Sequence, residues 1–599
     1  MKQLLSGNQA LARGAWEAGV AVAAGYPGTP STEILETLAP MPGVYAEWSP
    51  NEKVALDVAI GAAYAGKRAM AVMKHVGLNV AADSLFYAAM TGVEAGLVIV
   101  VADDPGMHSS QGEQDSRRYA KFARVPCLEP SDSQEAKDMV ALAFEISEAF
   151  DTPVMVRLTT RISHSSSLVT LGPDRPAEAD TARHAYRIDS PKYVMVPAYA
   201  RQRHPVMEER ILTLAQQAHT FPVNRVVWGD RRLGIVSCGV AYQYAREVFP
   251  NASFLRLGMT YPISPQLVAE FAQGVERLVV LEELDPFLEE EIRLLGIPCE
   301  GKSIFPAVGE FTPEQVRACA QKAGLLASAT PEPPLAPVPD LPPRPPVLCP
   351  GCPHRPVYLM LRKLKVVVNG DIGCYTLGFS PPLSAVHSTG CMGASIGVAH
   401  GVAKAGIAQK NVAVIGDSTF LHAGIPALLN VAYNGGKTLT IILDNRTTAM
   451  TGHQDHPGTG RTLQGQPAPA VNLEALVRAL GICHVTTVDP YDLETLERTL
   501  RTYLDLDEPA VVIASRPCAL LPGVRLERVP MAIRAEACLG CGLCLSIGCP
   551  ALSQSATRTA KNGRPVAEVD PLLCAGCGIC RQLCPAGAIS PREKEAVRR

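Results

Sequence analysis

Eight cysteines near the end of the chain are spaced for one kind of chemistry. They fall in two runs, CLGCGLCLSIGCP at 538–550 and CAGCGICRQLCP at 574–585. Such a C-x2-C-x2-C...C-P run lets three thiolates of one tight loop hold a 4Fe-4S cluster while the fourth cysteine reaches the other cluster. That rule groups Cys538, Cys541, Cys544 and Cys584 around one cluster, and Cys574, Cys577, Cys580 and Cys549 around the other. The first run has four residues rather than three before Cys549, an insertion that a surface loop absorbs cheaply. Zinc knuckles are the alternative, but a zinc site takes four ligands and has no use for a third cysteine followed by Cys-Pro. One-electron transfer is the chemistry expected. The intervening SATRTAKNGRPVAEVD predicts a hairpin turning at Asn562-Gly563, so the two runs form an internal repeat.

Electron transfer needs a source upstream. In NVAVIGDSTFLHAGIPALLNVAYNGGKTLTIILDN, 411–445, VAVI predicts a buried strand, FLHAGIPALLNVAYN a helix closed by Gly435-Gly436, and LTIIL a second strand. That is one βαβ crossover, which places Gly416-Asp417 and Asp444-Asn445 at the carboxyl ends of strands, where open parallel sheets bind ligands. Asp417 and Asn445 offer hard oxygen ligands suited to magnesium, with the Thr447 carbonyl as a third. Gly-Asp and Asp-Asn are also ordinary turn pairs. In EWSPNEKVALDVAIGAAYAG, Glu52 opens a helix behind Asn51, where an acid suits the helix dipole and Asn suits the cap. His75 and His422 flank these motifs and are read as packing residues. Met392 and the glycines of GASIGVAHG predict a tightly packed helix.

These residues must be carried by α/β elements. Residues 1–185 alternate strand-like runs such as RAMAVMK, GLVIVVADDPG and PVMVRLTT with helical patterns such as SDSQEAKDMVALAFEISEAF, which predicts a parallel sheet covered by helices. Residues 186–230 predict a connecting helix. A second α/β unit runs from LGIVSCG through RLVVLEE to about residue 328, without a Gly-x-Gly-x-x-Gly loop for a nicotinamide. PEPPLAPVPDLPPRPP, 331–346, predicts an extended spacer on the order of 50 Å at ~3.1 Å per residue. A third α/β region follows at 347–528.

With 599 residues the chain has room for about four domains, and a net charge of -3 with 47% hydrophobic residues excludes a nucleic-acid or membrane surface as the expected partner. No apolar run approaches the roughly 18 residues of a bilayer span, and MKQLLSGNQALARG has no hydrophobic signal core, so a cytoplasmic location is expected. Eighteen cysteines fit a reducing compartment in which thiolates bind metal.

The tail resembles bacterial two-cluster ferredoxins, and the 411–445 crossover resembles the thiamine diphosphate signature, with Ser418 standing where a glycine is usual. Together GYPGTPSTE, MKHVGLNVAADSL, DDPGMHSSQGEQDSR, CPGCPHRPVY, GDIGCYTLG and DNRTTAMTG make nearly the whole chain similar to the thiamine diphosphate-dependent 2-oxoacid:ferredoxin oxidoreductases, in the large-subunit branch acting on indolepyruvate. The resemblance implies a multidomain α/β chain. Its order would be a pyrimidine-binding domain at 1–185, the connecting segment 186–230, a transketolase C-terminal-like domain at 231–330, the linker 331–346, a diphosphate-binding domain at 347–528 and a ferredoxin-like α+β domain at 529–599.

It further implies that Glu52 faces the cofactor pyrimidine. Gly416, Asp417, Ser418, Asn445 and Thr447 would hold magnesium and diphosphate, and Thr29 would contact the substrate carboxylate. Arg117 would do the same or be a solvated helix charge. Cys349, Cys352, Cys374 and Cys518 would ligate a third cluster beside thiamine, although an isolated Cys-x-x-C also suits structural zinc or buried thiols. The implied reaction is oxidative decarboxylation of arylpyruvates to aryl-acetyl-CoA and carbon dioxide with reduction of ferredoxin. A smaller subunit would supply the missing gamma-type domain, in a heterotetramer of two large and two small chains. Three rivals share parts of this pattern: the same chemistry on pyruvate or branched 2-oxoacids, a non-oxidative decarboxylase, and a non-catalytic electron-transfer subunit.

Overall fold

A computed structural model of the chain describes residues 1–175, 186–327, 341, 344–522, 524 and 529–592. The expected boundary at 185 and most of the Pro-rich segment 331–346 lie outside the described residues. Two units are distinguished, Met1–Val338 with Leu463–Gly465, and Pro339–Thr462 with Gln466–Arg599.

In the first unit, strands Ala69–Lys74, Leu97–Asp103 and Val154–Thr159 are apolar along most of their length and almost wholly buried. Strands of that kind are covered on both faces, the setting of a parallel sheet. Seven strands run in the order Met259–Tyr261, Cys127–Leu128, Val154–Thr159, Leu97–Asp103, Ala69–Lys74, Val22–Gly25, Tyr45–Trp48. All pair in parallel except Met259–Tyr261, which is antiparallel to Cys127–Leu128. Capped helices cover the sheet: Ser6 and Gln9 form a capping box on Gly7–Glu17, and Asp132 accepts the Glu135 N–H to start Ser133–Phe150. Strand Val22–Gly25 is followed in the chain by its neighbour on one side, Tyr45–Trp48, and then by its neighbour on the other, Ala69–Lys74. The crevice between Val22–Gly25 and Ala69–Lys74 is therefore a switch point, where ligands of open sheets bind.

Residues 186–230 carry the expected helix, Pro197–Gln217. The segment beyond builds a four-stranded sheet in the order Arg277–Leu281, Asp230–Ser237, Ala252–Arg256, Arg225–Val227. Its strand Met259–Tyr261 is lent to the edge of the larger sheet, and one apolar core runs from Leu11 to Ile292.

The second unit holds a fully parallel sheet in the order Val367–Asn369, Asn411–Gly416, Leu439–Asp444, Ala510–Ser515, His484–Val488. Apolar clusters cover its two faces. The helix expected after Asn411–Gly416 is present, and runs through Asp417–Thr419, a π-helical turn Phe420–Gly424, and Ile425–Tyr433. Pro426 has no N–H to give and its ring crowds the carbonyl four residues back, which a wider turn relieves.

The tail contains the expected hairpin, Leu552–Thr559 with Pro565–Val569. A second antiparallel pair joins Met531–Ile533 to Ile589–Pro591. The internal repeat is visible in the backbone: Gly542 and Gly578, each following the second cysteine of its run, share the left-handed conformation at φ 72° and 74°.

Candidate active site

Every strand of the five-stranded sheet that bears a cofactor motif delivers it at its carboxyl end. Asp371 follows Val367–Asn369, Asp417 follows Asn411–Gly416, Asn445 follows Leu439–Asp444, and Cys518 follows Ala510–Ser515. Gly416 is needed because the Tyr375 ring lies against it, and a Cβ there would stand 2.6 Å from Tyr375 Cε1. Asp417 is buried, accepts the Ser418 and Arg446 N–H groups at 2.9 Å each, and is held below the usual carboxylate range by His456 against the opposing effect of burial. His456 Nε2 stands 3.2 Å from Asp417 Oδ2. Its Nδ1 accepts the Gly458 N–H, which leaves the proton on Nε2. Asp444 sits beside Asp417 and is raised by burial and by that neighbouring charge. Ser418 accepts a hydrogen bond from Thr448 Oγ1 at 3.0 Å.

The amide of Asn445 is the test of a cation site. In one orientation its oxygen lies 2.8 Å from the Thr447 carbonyl and 3.2 Å from Asp417 Oδ1, so that three acceptors converge, with the Thr447 N–H 3.3 Å from the amide oxygen and the Ser418 N–H on Asp417 Oδ1. Turned over, the amide nitrogen donates to both. A hard divalent cation satisfies the first arrangement, and this donor set of carboxylate, amide and carbonyl oxygen suits magnesium. The residues present fit the expected group. Sequence reasoning missed Asp371, which accepts the Gly393 and Ser395 N–H groups at 2.9 and 3.0 Å and so fixes the start of helix Ala394–Lys404. It also missed His456. The repeated Gly-Asp before a polar loop, GDIG and GDST, was the available signal for Asp371; His456 had none.

The four cysteines proposed for an inner cluster are brought together by this unit. Burial, with the neighbouring thiolates of Cys374 and Cys349, pushes Cys352 up to about 12, and Cys374 is raised to about 11 by burial and by Cys518 and Cys349. The backbone N–H of Cys518 donates to the Asn445 carbonyl at 2.9 Å, tying this cysteine to the loop that carries Asn445. In the tail, Cys538, Cys541, Cys544 and Cys584 line one cavity, while Cys549, Cys574, Cys577 and Cys580 line another. Cys574 Sγ accepts the Met531 and Gly576 N–H groups at 3.4 Å, and Cys584 Sγ accepts the Ala588 N–H at 3.3 Å, donors of the kind that stabilise thiolates. Among the described residues no set of three or more ligating side chains is drawn to a single point. Four thiolates spread around a cavity fit a cube of irons better than one zinc ion.

In the first unit Asn51 caps helix Glu52–Tyr64 by accepting the Val54 N–H at 2.9 Å. Glu52 is 5% exposed and lies against Gly77, where an added Cβ would stand 2.7 Å from its carboxylate oxygen. Thr29 follows the switch-point strand, and its carbonyl accepts from Ser109 Oγ at 3.2 Å. Lys74, which sequence reasoning passed over, ends the adjacent strand beneath Gly28 and donates to the Ser109 carbonyl at 3.0 Å. Burial lowers its pKa, against the charges of Asp104 and Glu52.

Arg117 requires a correction. It is 0% exposed, not a solvated helix charge. Its Nε donates to Asp115 at 2.9 Å, Nη1 to Glu282 at 2.7 Å and weakly to Cys238 Sγ at 3.5 Å, and Nη2 to Asp115 and to the Glu283 carbonyl at 3.1 Å. All five N–H groups are committed, so none is left for a substrate carboxylate. The guanidinium instead ties helix Arg117–Ala123 to the strand end at Glu282, while Lys74 shares Ser109 with Thr29.

Glu283, beside this pair, carries a testable charge. Its carboxylate accepts the Phe311 N–H at 2.8 Å, and burial raises it to about 7. The folded protein thus keeps a proton between about pH 4.5 and 7 that the unfolded chain releases. The stabilisation is complete below that window and is lost as pH rises through it. Glu283→Gln is expected to remove this dependence, gaining on the order of 3 kcal/mol over the natural protein between pH 5 and 8 at about 1.4 kcal/mol per pH unit. Thermal melts across that range check it, and parallel pH curves for the two proteins would contradict it.

Comparison with known proteins gives three domain matches. Residues 13–220 match the family described as pyruvate flavodoxin/ferredoxin oxidoreductase, thiamine diphosphate-binding. Residues 371–514 match the thiamine pyrophosphate enzyme C-terminal TPP-binding domain, and 537–588 the 4Fe-4S dicluster domain. Over 98% of its length the chain is 42% identical to the indolepyruvate oxidoreductase subunit IorA of Pyrococcus horikoshii, covering 96% of that protein. It is equally identical to the subunit of the same name from Archaeoglobus fulgidus, covering 98% of this chain and 97% of that one. Among solved structures, a 2-oxoglutarate:ferredoxin oxidoreductase from Magnetococcus marinus matches 54% of this chain and 65% of its own, at 18% identity and a TM-score of 0.45.

Proposed function

Because the chain belongs to the family of indolepyruvate oxidoreductase IorA subunits, we propose that it oxidatively decarboxylates indolepyruvate and related arylpyruvates to aryl-acetyl-CoA and carbon dioxide, with ferredoxin taking the electrons. It is a thiamine diphosphate-dependent enzyme with a 4Fe-4S tail. The observation that carries the reading is identity of 42% along nearly the whole chain to proteins of that name, with thiamine-type and two-cluster domains in one polypeptide. Thiamine diphosphate supplies the nucleophilic carbon and electron sink that let a 2-oxoacid lose carbon dioxide.

The side chains have separate tasks. Asp417, Asn445 and the Thr447 carbonyl would hold magnesium and through it the diphosphate, with Gly416 and Ser418 forming the adjoining loop. His456 keeps Asp417 ionised. Glu52, pressed on Gly77, would present its carboxyl to the pyrimidine, while Thr29 and Lys74 would bind the substrate carboxylate as threonine hydroxyl and lysine cation. Cys349, Cys352, Cys374 and Cys518 would hold a third cluster; the mutual action of their charges supports this.

The relatives are subunits by name, which supports a partner chain here, assembled as two large and two small subunits. Thiolates kept as metal ligands support a reducing, cytoplasmic location for the assembly. Among the described residues no helix is long and apolar enough to cross a membrane.

The reading is tested on the complex with the partner subunit, purified without oxygen. Ferredoxin reduction should be several-fold faster per unit concentration with indolepyruvate than with pyruvate or branched 2-oxoacids; the reverse order would reassign the substrate. Iron analysis should give about twelve irons per large chain. About eight would remove the third cluster, and intact clusters without bound thiamine diphosphate would make the chain an electron-transfer subunit.

A further inference from the structure

Two of the thiolate sets share a neighbour that is not a ligand. Arg355 lies in the first turn of helix His354–Leu364, directly after the CPGCP loop, and is 3% exposed. Its Nε donates to the Cys349 carbonyl at 3.1 Å, Nη1 to the carbonyls of Ile547, at 3.1 Å, and Gly548, and Nη2 to the Leu348 carbonyl. Every acceptor is a neutral backbone oxygen. Among the described residues no carboxylate pairs with it, and the charges that act on it are those of Cys352, Cys549, Cys349 and Cys577. Arg355 also lines the cavity of Cys549, Cys574, Cys577 and Cys580. The two loops pack closely there: a Cβ on Gly351 would stand 2.7 Å from the Ala575 Cβ, and the Tyr491 hydroxyl donates to the Gly351 carbonyl. Among the described residues, the cavity of Cys538, Cys541, Cys544 and Cys584 has no arginine or lysine in its lining.

A guanidinium withdrawn from water with only carbonyls around it lacks a counter-charge, and such burial is expensive unless an anion stands close. The anions available on its two sides are the thiolate sets. We propose that Arg355 is the counter-ion shared by the inner cluster site and the Cys549 cluster site, favouring the reduced state of both. The inference rests on the reading that Cys349, Cys352, Cys374 and Cys518 hold a cluster. Each cluster becomes one charge more negative on gaining an electron, and a fixed cation a few ångströms away stabilises that state without any proton moving. Among the described residues the Cys538 cavity has no buried cation in its lining, Arg534 at the Gly587 carbonyl and Arg564 beside Gly540 both being exposed, so the buried charge distinguishes the two halves of the tail repeat.

The test is a dithionite redox titration of the complex followed by electron paramagnetic resonance, comparing Arg355→Gln with the natural protein. At the potential where each natural cluster is half reduced, the reduced-to-oxidised ratio of the inner and Cys549 clusters should fall about tenfold, or 59 mV for a one-electron couple. The Cys538 cluster should change less than threefold. Arg355→Lys, which keeps the charge and loses the fork, should hold both ratios within threefold; if the glutamine variant loses iron, Arg355→Met takes its place with the same tenfold fall expected. Unmoved ratios in the uncharged variant at full iron content overturn the proposal, as does an equal shift of all three clusters. A lysine variant reduced as poorly as the glutamine variant also overturns it, since hydrogen bonds would then be responsible. If the natural protein holds about eight irons, the inner-cluster reading itself fails, whatever Arg355 does to the Cys549 cluster.

Discussion

Turnover of indolepyruvate is expected to fall about a thousandfold in Asp417→Asn, with loss of bound magnesium and thiamine diphosphate. The substitution keeps the shape of a residue that accepts two backbone N–H groups and removes its negative charge. With the Asn445 oxygen turned towards them, Asp417 and the Thr447 carbonyl complete a set of three acceptors, and the cation gains most from the one formal charge among them. A loss of about 4 kcal/mol in metal and diphosphate binding corresponds to that factor. Thiamine content by fluorescence, magnesium content and ferredoxin reduction measure the three consequences. Tail cluster spectra should be unchanged, because those cysteines bind elsewhere in the unit. Normal cofactor content with normal turnover would end the assignment.

The second large effect is expected at Glu52. Glu52→Gln should lower turnover by about 10²–10⁴-fold, the usual range for losing a positioned acid or base, while bound thiamine diphosphate stays. The rival reading of Glu52 as a helix-dipole residue makes a different forecast. Asn51 already caps the helix through the Val54 N–H, so a dipole role alone is worth about 1 kcal/mol or less of stability and nothing in turnover. A carboxyl placed against a glycine that has no room for a Cβ is held for direction, which a purely electrostatic contribution to the helix would not need. Turnover in Glu52→Gln equal to the natural protein's, with a small drop in melting temperature, would settle the matter for the dipole.

Some of this was legible in the chain because the chemistry is local. The tail cysteines are ordered by short spacings, and the cavities group them as the cross-ligation rule does. Strand runs such as GLVIVVADD announce burial on both faces, and Gly-Asp or Asp-Asn after such a run announces the sheet's carboxyl edge. The π-helical turn at Phe420–Gly424, inside the expected helix, was not legible because a proline's effect depends on whether the preceding turn can widen.

The sequence alone therefore determined the fold class, the order of the domains' motifs and the candidate residues that sit within a few positions of a strand end or of one another. Tertiary structure decided which charges are spent and which are free. Arg117 looks like any helix arginine until Glu282, 165 residues away, is packed against it. Arg355 acquires its place between two thiolate sets from the carbonyl of Ile547, 192 residues further on. Lys74 and His456 likewise gain meaning only from neighbours on other elements. Periodicity and spacing report what a segment buries, but a buried charge is defined by whatever the rest of the core brings within a few ångströms, and that is set by packing.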